Sequence, residues 1–85
     1  MTKRETKLCQ TILTVLHDLD GGQFSEIQIH AELNLHLGQY VPSAELQTAL
    51  ALCDTRRWIT GVKSKFTGML WNITDAGEAV RLEMH

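Results

Sequence analysis

Apolar residues return at helical spacing in three stretches of the chain and then give way to two short strand-like runs. Leu8, Ile12, Leu16 and Leu19 follow an i, i+4, i+8, i+11 pattern, and Cys9, Leu13 and Val15 widen the stripe. This spacing predicts a first helix from about Arg4 to Leu19, stopped by Asp20-Gly21-Gly22. Ser25 and Gln28 then have the spacing of a capping box, with Phe24 and Ile29 placed as a hydrophobic staple. Ile29, Leu33 and Leu37 continue one face of this second helix as far as Gly38, a C-cap residue. Pro42 and Ser43 suit the start of a third helix, whose inner stripe is Leu46, Leu50 and Cys53. The stretch from Ile27 to Leu37 also alternates almost like a strand. The capping signals, Ala31 and Glu32 favour helix, which leaves Ile27 and Leu35 off the main stripe.

The second half of the chain changes period. Trp58 to Lys63 and Met69 to Ile73 are rich in strand formers and are joined by Ser64-Lys65-Phe66-Thr67-Gly68, a hairpin pattern. The run Trp71-Asn72-Ile73-Thr74-Asp75-Ala76-Gly77 reads as a buried strand that ends in a helix start. Thr74 is placed as N-cap, Asp75 and Glu78 put negative charge in the first turn, and Gly77 allows close packing. The closing helix, Asp75 to about Glu83, is expected to pack through Ala76, Ala79 and Val80.

This order of helix, strand, hairpin, strand and Thr-Asp-Ala-Gly resembles the winged-helix family of DNA-binding domains over nearly the whole chain. The resemblance implies an α+β fold, a winged helix-turn-helix with a three-helix core, a two-stranded β-hairpin wing and a C-terminal helix. A one-residue third strand near Phe24 would complete the sheet. Residues 1–85 are expected to form one such domain. One departure concerns Arg57, where relatives often end the third helix with glycine. Arg57 must either adopt a left-handed conformation or end the helix in another way.

Composition narrows the classes. A chain of 85 residues, 44% hydrophobic and 21% charged, has the makeup of a globular protein. No apolar run approaches the ~20 residues needed to span a bilayer, so no membrane role is expected. Lys3, Arg4, Glu5 and Lys7 followed by an amphipathic stretch do not fit a secretion signal, which points to the cytoplasm. Cys9 and Cys53 both lie on apolar stripes and are expected as buried reduced thiols, with a disulfide or metal role as the alternative. His17, His30, His36 and His85 have no zinc-type spacing, and His17 suits a surface position near a helix C-terminus. No nucleophile–base set, phosphate loop or close carboxylate pair is present. Neither an enzyme, nor a cofactor, nor a small-molecule substrate is therefore expected.

Charge is sharply segregated behind a net value of −2. Residues 8–55 contain no Lys or Arg, whereas residues 56–74 carry Arg56, Arg57, Lys63 and Lys65 and no acid. The winged-helix resemblance implies that the third helix enters the major groove of double-stranded DNA and that the wing lies over phosphate or the minor groove. Residue by residue, this assigns Ser43, Gln47 and Thr48 to the groove and Lys63 and Lys65 to phosphate. Arg56, Lys3 and Arg4 would act in support. Gln47 could read adenine, and Glu45 would repel the backbone unless it accepts from cytosine. The lysines could equally be turn residues that keep a hairpin soluble.

The function expected is a non-enzymatic DNA-binding, transcription-regulator-like module. The alternative is a winged helix used for protein–protein contact or dimerisation without DNA, which the acidic stretch 8–55 favours. A homodimer is a further expectation, resting on Ile27, Leu35 and Leu52 off the main stripes.

Overall fold

A computed structural model of the chain describes residues 1–19, 22–66 and 68–83. Asp20 and Gly21 of the predicted stop signal, Thr67 of the turn, and His85 lie outside the described residues. The elements run α1 (Lys3–Asp18), β1 (Phe24–Ser25), α2 (Glu26–Leu37), α3 (Ser43–Thr55), β2 (Ile59–Ser64), β3 (Gly68–Ile73) and α4 (Asp75–Glu83).

The predicted helices form, and their ends are fixed by local hydrogen bonds. At α2 the capping box is complete: the Gln28 amide donates to Ser25 Oγ at 3.3 Å, and the Ser25 amide donates to Gln28 Oε1 at 2.9 Å. Gly38 closes the same helix in the left-handed region at φ 65°, where the missing Cβ removes the steric cost. Thr2 and Glu5 form a second capping box at α1, so that helix starts at Lys3, one residue earlier than its apolar stripe indicates.

The core is one cluster. Leu8, Cys9, Ile12, Leu13 and Leu16 of α1 pack with Ile29 and Leu33 of α2, Leu46, Leu50 and Cys53 of α3, and Ile59 of β2. The predicted inner stripes are therefore buried together except at their ends: Leu37 is half-buried against the cluster, and Leu19, the C-cap of α1, is half-buried outside it. Leu52, expected off the stripe, is half-buried against this cluster, because α3 presents a wide apolar arc to its neighbours.

The sheet has the order β1-β3-β2, antiparallel throughout. β1 pairs through two residues rather than one, with Phe24 opposite Trp71 and Ser25 opposite Leu70. In the hairpin, Ile59 lies opposite Ile73, Gly61 opposite Trp71 and Lys63 opposite Met69. Partners in register share a face, so Phe24, Gly61 and Trp71 line up across the three strands. The absent side chain at Gly61 leaves room for the Met69 methyl and the Trp71 ring, which lie over it.

The packing of α4 differs from expectation. Ala76 and Ala79 are exposed, and the buried residue is Gly77, with Val80 half-buried against the core. The helix docks through its backbone at Gly77, and this turns the two alanines outward. His17 is exposed, as expected for a surface position, and its ring Nδ1 lies 2.9 Å from Glu78 Oε2, joining α1 to α4.

Candidate nucleic-acid interface

α3 is aimed by the turn that precedes it. The Val41 amide donates to Asn34 Oδ1 at 2.8 Å, and His30 Nε2 donates to the Val41 carbonyl at 2.6 Å. Val41 is fully buried, so two side chains of α2 hold both polar groups of the residue that anchors the turn. Pro42 takes the N-cap position with no side-chain bond, and its fixed φ sets the chain up for the helix. With Leu46, Ala49, Leu50 and Cys53 buried, the opposite face of α3 presents Ser43, Ala44, Gln47, Thr48, Ala51 and Thr55 to solvent. Asp54 is exposed on the same face, seven residues after Gln47, so the face is polar and carries a carboxylate near its C-terminal end. The Thr48 hydroxyl donates to the Ala44 carbonyl at 3.0 Å, which leaves its oxygen free to accept and its methyl free for apolar contact.

The end of α3 is joined to the hairpin by an interlocked turn. Arg57 has φ 61°, a left-handed conformation that costs a non-glycine residue roughly 1–2 kcal/mol. The Thr74 hydroxyl offsets this cost: its oxygen lies 2.7 Å from the Arg57 carbonyl and 2.9 Å from the Trp58 carbonyl. The same oxygen accepts from the Gly77 amide at 3.0 Å, and the Thr74 amide donates to the Trp58 carbonyl at 3.0 Å. The Arg56 guanidinium lies 5.3 Å from the centre of the Trp58 ring, within cation–π range. Beyond this turn the hairpin carries Lys63 and Lys65, both exposed, with Phe66 beside them. The Phe66 amide donates to Ser64 Oγ at 3.3 Å, and Gly68 re-enters the strand at φ 76°.

No family model matches the sequence and no curated relative matches it. Solved structures do. H. salinarum RosR superposes with a TM-score of 0.78 at 18% identity, over 98% of this chain and 69% of that one. A transcriptional regulator from Clostridium thermocellum, Cth-833, gives 0.75 at 16% identity, over 89% and 74% respectively. A Thermoplasma acidophilum protein assigned as a transcriptional regulator gives 0.79 at 18% identity, over 93% and 75%. The chain has the winged-helix fold.

Within this winged helix the six residues singled out from sequence are all exposed, in three places. Ser43, Gln47 and Thr48 share the outer face of α3. Lys63 and Lys65 stand together at the wing. Arg56 sits apart, at the junction of α3 and the hairpin, stacked on Trp58. Among the described residues neither wing lysine takes part in an ion pair.

Arg4 and Glu45 are arranged differently from the sequence reading. Arg4 Nε donates to Glu45 Oε2 at 2.8 Å, with a second, longer contact from Nη2 to Oε1 at 3.4 Å. The hydrogen bond from Arg4 holds the Glu45 carboxyl below its ordinary pKa, and the Arg4 guanidinium is raised in turn. Glu45 is therefore compensated and not a bare negative charge on α3. Arg4, expected as a supporting cation, is already engaged. The two residues are 41 positions apart, so no local spacing signals the pair.

Cys9 and Cys53 are buried and free, as expected. The Cys9 thiol lies 3.8 Å from the Ala49 carbonyl, one helical turn before Cys53. The neighbouring Cys9 thiol, reinforced by burial, pushes the Cys53 thiol well above its ordinary value. Among the described residues no three His, Cys, Asp or Glu side chains gather to hold a metal ion, and no helix is long and apolar enough to cross a membrane.

Proposed function

We propose that this winged helix is a non-enzymatic DNA-binding module of transcription-regulator type, held on duplex DNA mainly through its basic wing. The observation that carries this reading is the pairing of an exposed polar patch on α3, Ser43, Gln47 and Thr48, with two exposed wing lysines that take part in no ion pair among the described residues. The likeness to transcriptional regulators of the same fold supports it. Lys63 and Lys65 contact phosphate, Ser43, Gln47 and Thr48 face the major groove, and Arg56 adds a cation at the junction. Phosphate contacts fix position, whereas base edges carry sequence information. Gln47 has the donor and acceptor needed for adenine and is the residue through which sequence preference enters. The reading places the protein in the cytoplasm, where duplex DNA and reduced thiols coexist.

Fluorescence anisotropy with labelled duplexes over a salt series tests it. Affinity that falls steeply with salt supports the reading, because each phosphate contact releases counterions. Gln47→Ala should change the ranking of duplexes. Absence of binding at low salt would replace this reading with a winged helix that contacts protein alone.

A further inference from the structure

Among the described residues a left-handed backbone falls on glycine with one exception. Gly38 has φ 65° and Gly68 φ 76°, and the exception is Arg57 at φ 61°. Arg57 ends α3 as Gly38 ends α2. Its amide donates to the Asp54 carbonyl and the Trp58 amide donates to the Cys53 carbonyl, each at 3.0 Å. These two bonds make the left-handed helix stop that glycine ordinarily serves. Glycine adopts this conformation without steric cost, whereas a residue with a Cβ is strained in it.

The arginine side chain does nothing for the fold that explains its presence. Among the described residues, the bonds that hold Arg57 run through its backbone: the amide to Asp54, and the carbonyl to the Thr74 hydroxyl at 2.7 Å. The side chain is exposed and takes part in no ion pair. Asp54, three residues earlier, and Asp75, beside Thr74, are exposed acids of the same junction, and neither pairs with it. A cation at a helix C-terminus gains from the helix dipole, but Arg56 already supplies one there. Strain that the fold does not need collects where a residue acts on a ligand.

We infer that Arg57 is a further DNA contact, a phosphate-binding residue at the joint between α3 and the wing. The inference rests on the DNA-binding reading and adds a residue to it. A guanidinium presents parallel donors that match a phosphate. The Thr74 hydroxyl and the two helix-stop bonds fix the backbone from which Arg57 projects, so less order is lost on binding. Arg57 therefore lowers stability and raises affinity, a combination that a purely structural residue does not show.

Thermal melts and anisotropy of a labelled duplex over a salt series, on the same variants, test the inference. Arg57→Gly should melt several degrees above the wild type, because the left-handed strain is relieved. The same variant should bind duplex roughly eightfold more weakly at about 0.1 M salt, with a slope of log affinity against log salt flatter by about 0.9, the loss of one phosphate contact. Arg57→Lys keeps the strain and the charge, so its melt and slope should match the wild type. Equal affinity and slope in Arg57→Gly would overturn the inference and leave the DNA-binding reading standing. A melt at or below that of the wild type would overturn it too, because the arginine would then serve the fold. A wild type that binds no duplex at low salt would remove the DNA-binding reading, and the role of Arg57 with it.

Discussion

The carbonyl oxygen of Trp58 occupies the space that a Cβ on Gly77 would need. This approach lets α4 lie against the turn between α3 and β2, and it places the Gly77 amide on the Thr74 hydroxyl. Thr74 and Gly77 thus act as one clasp on the segment that orients the wing relative to α3.

Gly77→Ala should therefore destabilise the fold by about 1–3 kcal/mol, the usual cost of forcing extra volume into a packed site. Helix propensity alone predicts the opposite, a gain of roughly 1 kcal/mol from replacing glycine within a helix. Urea denaturation decides between them. A variant as stable as the wild type would mean that the clasp yields without cost.

The buried thiols give a pH signature. Cys53 is pushed above its ordinary value of 9.0 by the neighbouring Cys9 thiol and by burial, so the folded state favours the neutral thiol. Below that value both folded and unfolded chains keep the proton, and stability is unaffected. Above it the unfolded chain ionises while the folded one resists, so stability falls as pH rises. Denaturation midpoints measured on either side of pH 9 should show this fall, and Cys53→Ala should reduce it. Both thiols should also react slowly with a thiol reagent until the protein is unfolded. Immediate labelling of the native protein would contradict their burial.

Arg4 and Glu45 give a prediction of opposite sign to most interface changes. Glu45→Gln removes the carboxylate that engages Arg4 and returns a free cation beside α3, the helix proposed to face the groove. Duplex affinity should rise, and the dependence of log affinity on log salt should steepen by about 0.9, the value for one further phosphate neutralised. The pair is exposed, so the thermal melt should barely move. Unchanged affinity and slope would show that Arg4 lies outside the DNA footprint.

Much of this fold is local and therefore legible in the sequence. Ser25 with Gln28, Gly38, and the inner stripe of Leu46, Leu50 and Cys53 each act within a few residues, and each has its expected role in the structure. Interactions between distant segments left no such trace. The inward face of α4 is set by a backbone approach at Gly77, and apolar patterning pointed instead to Ala76 and Ala79. Arg57 had two conformations open to it, and Thr74, 17 residues away, supplies the hydrogen bond that favours the left-handed one. Exposure of Ser43, Gln47, Thr48, Arg56, Lys63 and Lys65 followed from helix and hairpin geometry. The engagement of Arg4 by Glu45 did not, because it depends on how α1 crosses α3.

The most direct measurement of the central claim is the salt dependence of duplex binding in a variant that carries both Lys63→Ala and Lys65→Ala. The wing is assigned to phosphate and not to bases, so all duplexes should weaken about equally. The slope of log affinity against log salt should flatten by roughly two units, near 0.9 for each phosphate that is no longer neutralised. Unchanged affinity and slope would contradict the account and leave the basic wing as a soluble hairpin.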